Sequence, residues 1–120
     1  MRQMTGPDSE ARARALHAIA AMRASLQRMM VSLEGDIAFT SSVLAGLSSG
    51  GSIAHVLDGL DTAGARQHLT DTINELESKR LDARRQLFRA MIDEGATIGD
   101  VARTWGISRQ LASRIINDPS

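Results

Sequence analysis

Five polar residues near the C-terminus have the types and spacing needed to grip a nucleic acid. Ser108, Arg109, Gln110, Ser113 and Arg114 alternate with apolar residues in the run 108–117, Ser-Arg-Gln-Leu-Ala-Ser-Arg-Ile-Ile-Asn. At helical periodicity they project outward, while Ala112 and Ile115 face inward with Leu111 and Ile116 beside them. A guanidinium can hold both acceptors on the major-groove edge of guanine, and a glutamine amide can do the same for adenine. The first turn of such a helix goes deepest, so Arg109 and Gln110 are expected to meet bases, with Ser108 also pointing out from the cap. Arg114 is placed to read a base or hold a phosphate, and Ser113 serves in either role. Thr97, Arg103, Arg84, Arg85 and Arg89 are the further phosphate candidates.

Other chemistry finds little support. His17, His55 and His68 lack metal-ligand spacing, and Ser41, Ser42 and Ser48 have no nearby base. Asp71, Glu75 and Glu77 read as a solvated face. No catalytic residue, metal or cofactor is expected. Cysteine is absent, which excludes disulfides and thiolate metal sites and fits a reducing compartment.

The reading helix needs a frame, and one glycine sets it. Thr97 caps a first helix, with Asp100 three residues on as the other half of a capping box. Val101 and Ala102 face inward, and the small alanine lets two helices cross closely. Trp105 closes this helix, Gly106 supplies the turn, Ile107 plugs the core beneath it, and Ser108 caps the second helix. A preceding helix, about 83–94, offers Leu87, Phe88 and Met91 as a third wall.

The run Val-Ala-Arg-Thr-Trp-Gly-Ile-Ser-Arg-Gln-Leu-Ala-Ser-Arg-Ile-Ile-Asn, 101–117, resembles the helix-turn-helix of bacterial transcription regulators. It is similar to the lac-repressor-type reading head and to the DNA-binding end of serine resolvases and invertases. Ala102, Gly106, Ile107-Ser108 and Ser113 to Ile116 fall in register. The resemblance covers about residues 83–118, and the usual bulkier aliphatic is replaced by Ala112. It implies a trihelical unit that binds double-stranded DNA with 108–117 in the major groove. What precedes it leaves no room for a recombinase catalytic domain.

The rest of the chain reads as helical. Aromatics are 2% of 120 residues and prolines number two, so the expected class is all-α with cores of Leu, Ile, Met and Ala. Residues 1–7 are expected to be disordered, with no apolar signal core. A helix starts at Pro7-Asp8-Ser9-Glu10 and runs to about Leu47. Its expected seam is Ile19, Met22, Leu26, Met29, Leu33, Ile37, Thr40, Leu44 and Leu47, with a kink near Gly35. Ser48-Ser49-Gly50-Gly51-Ser52 breaks the chain, and 53–60 is a short helical piece ended by Gly59. A second long helix starts near Asp61 or Thr62 and ends near Glu94-Gly95. Its expected seam is Arg66, Leu69, Ile73, Leu76, Arg80, Ala83, Leu87 and Met91.

The expected architecture is therefore a long antiparallel, coiled-coil-like hairpin over 8–82, with its tip at 48–60, continuing into a helix-turn-helix unit over 83–120. Net charge is zero but unevenly spread: +3 over 1–33, −6 over 34–78 and +3 over 79–120. Folding at the tip would gather the two basic ends on the phosphate side. A lone hairpin leaves apolar faces open, so a homodimer through 8–82 is expected. The leading expectation is a transcriptional regulator on the cytoplasmic nucleoid. The alternatives are a coiled-coil scaffold whose acidic tip docks a protein partner, and a nucleoid organiser with little sequence preference. No stretch approaches the roughly 18 apolar residues of a membrane span.

Overall fold

A computed structural model describes residues 9–119, and every described element is helical. The order is α1 (Glu10–Ser48), α2 (Ile53–Gly59), α3 (Thr62–Asp93), α4 (Ile98–Trp105) and α5 (Arg109–Ile116). The expected disorder of 1–7 lies outside the described residues.

Local chemistry accounts for the ends. The Ser9 hydroxyl accepts the Arg12 amide at 3.2 Å and so caps α1. α1 then runs unbroken past Gly35. It closes where the Gly51 amide reaches the Gly46 carbonyl at 3.2 Å and the Gly50 amide reaches that of Leu47 at 3.1 Å. Gly50, at φ +92°, supplies the left-handed residue this closure needs. The Ser52 hydroxyl caps α2 through the His55 amide at 3.2 Å. Asp61 precedes α3 and accepts the Gly64 amide at 3.3 Å. α3 ends like α1: the Ala96 amide bonds the Met91 carbonyl at 2.9 Å and the Gly95 amide that of Ile92 at 3.0 Å.

The chain divides into two compact units. One comprises residues 24–77. Within it α1 and α3 run antiparallel, since Arg28 pairs with Glu75 while Ser32 meets His68 at 2.9 Å and Thr72 at 3.4 Å. The other comprises 9–23 with 78–119. There Ser9 bonds Asp93, Arg12 bonds Glu94 at 3.1 Å, and Ala15, Ala18, Ala83 and Ala90 are buried.

The expected seams hold in part: Met29 and Leu47 on α1 and Leu69 and Leu76 on α3 are covered. On α1, Leu26, Leu33, Ile37 and Leu44 are exposed, as are Arg66, Ile73 and Arg80 on α3. Besides Ala24, Gly46 and Leu47, the covered positions of α1 in the first unit are Ser25, Met29, Ser32, Asp36, Phe39 and Val43. Their steps are 4-3-4-3-4, the same coiled-coil rhythm, one face round from the expected seam. On α3 the covered positions are Thr62, Ala65, Leu69, Thr72 and Leu76. Serine and threonine find partners across the seam, where Ser32 meets Thr72. Leu26, Met30, Leu33, Ile37 and Leu44 are left on the outside, while Met29, Phe39, Val43, Leu69 and Leu76 are covered.

This bears on one more expectation. An 18-residue window of α1 reaches a mean hydropathy of 1.2, so α1 is long and apolar enough to cross a membrane by length and composition. Its apolar residues form no unbroken run, because serine, threonine, glycine and charged residues, Glu34 and Asp36 among them, interrupt them.

Candidate nucleic-acid interface

The C-terminal helices are built around a small, closed core. Phe88, Val101 and Ala112 are wholly buried and Ala102 nearly so. Met91, Ile92, Ile98, Ile107, Ile115 and Ile116 pack around them. Leu87 stands outside this cluster, and Ile92 fills the wall it was expected to share. The alanine at 112 leaves no gap, because α4 and α5 close directly over it. Phe88 meets Trp105 edge to face, with ring centroids 5.0 Å apart.

The turn that sets the angle between α4 and α5 is held by backbone chemistry. Gly106 sits at φ +65°, ψ +37°, a conformation that costs a side-chain-bearing residue roughly 1 kcal/mol or more. The Ile107 amide bonds the Ala102 carbonyl at 3.0 Å, and the Ser108 hydroxyl accepts the Leu111 amide at 3.0 Å. Ser108 is thus a cap whose hydroxyl is already engaged.

The face of α5 turned away from the core carries Arg109, Gln110 and Arg114, all exposed, with Ser113 half-buried. The side-chain amide of Asn117 donates to the Ser113 carbonyl at 2.9 Å and to its hydroxyl at 3.3 Å, which ties down the last turn. On α4, Arg103, Thr104 and the edge of Trp105 are exposed on the surface. From 97 to 117 there are three arginines against one aspartate. The Arg109 guanidinium lies across the start of α4: a Cβ on Gly99 would come within 3.2 Å of its Nε and Nη2. Gly99 carries no signal in the sequence. A glycine one residue into a helix has no local role, and only the fold brings Arg109 over it.

The arginines of α3 are differently occupied. Arg89 donates from Nε to the Ile116 carbonyl at 3.0 Å and from Nη2 to that of Asp118 at 2.6 Å. Arg85, only 14% exposed, pairs with Asp82 at 2.7 Å and with Asp118 at 3.9 Å. Both clamp the end of α5: Arg89 caps carbonyls there with positive charge, and Arg85 holds the Asp118 carboxylate. Their donors are turned inward, which weighs against the phosphate role expected of them. Arg84 is half-buried with its Nε enclosed, beside Lys79 and Ile115 in a cleft of about 430 Å³.

At the start of α4 the capping box is complete. Thr97 Oγ1 accepts the Asp100 amide at 3.0 Å, and Asp100 accepts the Thr97 amide at 2.9 Å and the Arg103 guanidinium at 2.8 Å. The Thr97 amide, then the Arg103 side chain and the Thr97 hydroxyl, hold the Asp100 carboxyl at about 2, below its ordinary 3.8. A carboxylate depressed on folding stabilises the fold above its unfolded pKa, and that support fades as pH falls from about 3.8 toward about 2. Asp100→Asn should therefore melt below the parent at neutral pH, with the gap closing as pH approaches about 2. Thermal melts of both proteins across that range would check it. A gap that stayed constant would remove Asp100 as its source.

Among the described residues no three His, Asp or Glu side chains come together as a metal site. His68 does meet Ser32, on the surface of the 24–77 unit, where the bond ties α3 to α1. No family model matches the chain, and no curated protein or solved structure does so.

Proposed function

We propose that this chain is a sequence-specific DNA-binding protein, a transcriptional regulator that sets α5 into the major groove as one half of a dimer. The observation that carries the reading is the glycine-turned α4–α5 pair. Its inner side is sealed by Val101, Ala102 and Ala112, while Arg109, Gln110 and Arg114 stand exposed on one outer face. That is the layout in which a helix-turn-helix reads base edges. Arg109 and Gln110 supply the base contacts, Arg114 either a base or a phosphate contact, and Arg103 a phosphate contact. Ser108 and Thr97 support the site as caps, and their backbones lie near enough the two helix starts to face phosphates. Arg85 and Arg89 act indirectly by fixing α5. Arg84 and Ser113 stay at the margin of the surface.

The test is binding to random duplex DNA across a salt range. Release of counterions from three to four phosphates per head predicts about a 40- to 150-fold fall in affinity between about 50 and 200 mM salt. An absence of binding even at low salt would sink the reading and favour a protein-docking role for the same surface.

A further inference from the structure

The 24–77 unit leaves one helix face uncovered, and its pattern identifies what covers it. Leu26, Met30, Leu33, Ile37 and Leu44 are between 44% and 66% exposed. With Thr40 they step 4-3-4-3-4 along α1. At 100° per residue they fall within about 80° of the helix circumference, the narrow stripe of a coiled-coil seam rather than the wider face of a surface helix. The seam against α3 occupies the neighbouring face, about a quarter turn away. A helix with two such adjacent seams contacts two neighbours, as in a four-helix bundle. α3 is one of them.

We propose that the second neighbour is α1 of another copy of this chain, docked seam to seam through Leu26 to Leu44. Three observations select that occupant. The six positions of the stripe carry no charge, and Arg28, on the other side of the helix, is held by Glu75. The outward side of α3 in the same unit presents Arg66, Gln67, Thr70, Asp71, Asn74 and Glu77 with Ile73 alone among them, so the continuous apolar stripe on this unit is that of α1. The stripe exposes on the order of 500 Å² of apolar surface, so two copies bury about 1,000 Å², the lower bound of a specific interface. A bilayer fits less well despite the hydropathy of α1. Residues 24–77 hold two arginines against seven acids, whereas helices that lie on membranes are rich in Lys and Arg. The interface gives the proposed DNA-binding dimer its contact, but its test needs no DNA, so either reading can fail alone.

Sedimentation equilibrium of the full chain should show a dimer, and Leu33→Glu with Ile37→Glu should weaken it on the order of 100-fold or more. The helical circular dichroism should be retained, because both sites are exposed. Asn74→Glu, on the polar side of α3, should change association less than about 2-fold. Raising salt should hold or strengthen the dimer, because each 24–77 unit carries a net −5 that salt screens, the opposite of its effect on DNA binding. The chain has no cysteine, so Leu33→Cys gives a clean second assay. A thiol-reactive bifunctional reagent should link Leu33→Cys into dimers but not Asn74→Cys. A monomeric parent, a double variant that dimerises as before, or equal cross-linking at both sites would overturn the proposal. So would a monomer that pellets with phosphatidylcholine vesicles, which would give the stripe to a bilayer.

Discussion

Phe88→Ala should cost about 3–5 kcal/mol and release α4 and α5 from α3. Phe88 is wholly buried, and the other large side chain of that core at full burial is Val101. The remaining fully buried member is an alanine, which has nothing to move into the space. Trp105 would lose its edge-to-face partner and, already 40% exposed, would pass into water. A loss of this size is a large share of the roughly 5–15 kcal/mol that holds most domains together. Trp105 is the one tryptophan in the chain, so its fluorescence reports this region alone. In urea, the variant's tryptophan transition should move to much lower denaturant while Phe88→Leu stays near the parent. A loss below about 1 kcal/mol would show that α4 and α5 are held mainly by the Arg85 and Arg89 clamps.

The second large effect concerns recognition. Arg109→Ala should abolish the preference for a selected site, at about 1–3 kcal/mol for the base it no longer grips, or roughly 5- to 150-fold. Arg103→Ala should instead weaken selected and random duplexes alike and flatten the salt dependence by about one charge. Arg109 begins α5 and is exposed, but its guanidinium lies over Gly99, so it must swing outward to reach a base. The movement is cheap for a side chain with so many rotamers. Gly99 also permits the folded-back position, since any side chain there would crowd the guanidinium. Fluorescence anisotropy on a duplex enriched by in vitro selection, beside a scrambled one, separates the two roles. Equal losses on both duplexes for both variants would remove Arg109 as a base reader.

Arg85 shows why a list of arginines is a poor guide to a phosphate surface. By sequence it sits on the outer side of a basic helix near the reading head. In the fold it is 14% exposed and faces Asp82 and Asp118. Arg89 is likewise spent on carbonyls 27 and 29 residues away. Asp82 lies one turn before Arg85, but nothing within one helical turn announces Asp118 to Arg85 or the two carbonyls to Arg89.

What the sequence determined is the chemistry that acts over three to five residues. The Ser9 cap, the Gly50, Gly95 and Gly106 closures, the Thr97–Asp100 box and the Ser108 cap are all contacts within a turn, so each helix end was legible from its neighbours. The inward side of α4 and α5 was legible too, because each eight-residue helix has a single apolar side. Only the tertiary structure decided which way α1 turns. Two stripes on that helix share the same alternation of threes and fours. Spacing gives a period but not an azimuth, and apolar size favoured the stripe through Leu33 and Ile37. Packing against α3 covers the one through Ser25, Met29, Ser32, Asp36, Phe39 and Val43, and that choice leaves Leu26, Met30, Leu33, Ile37 and Leu44 facing outward.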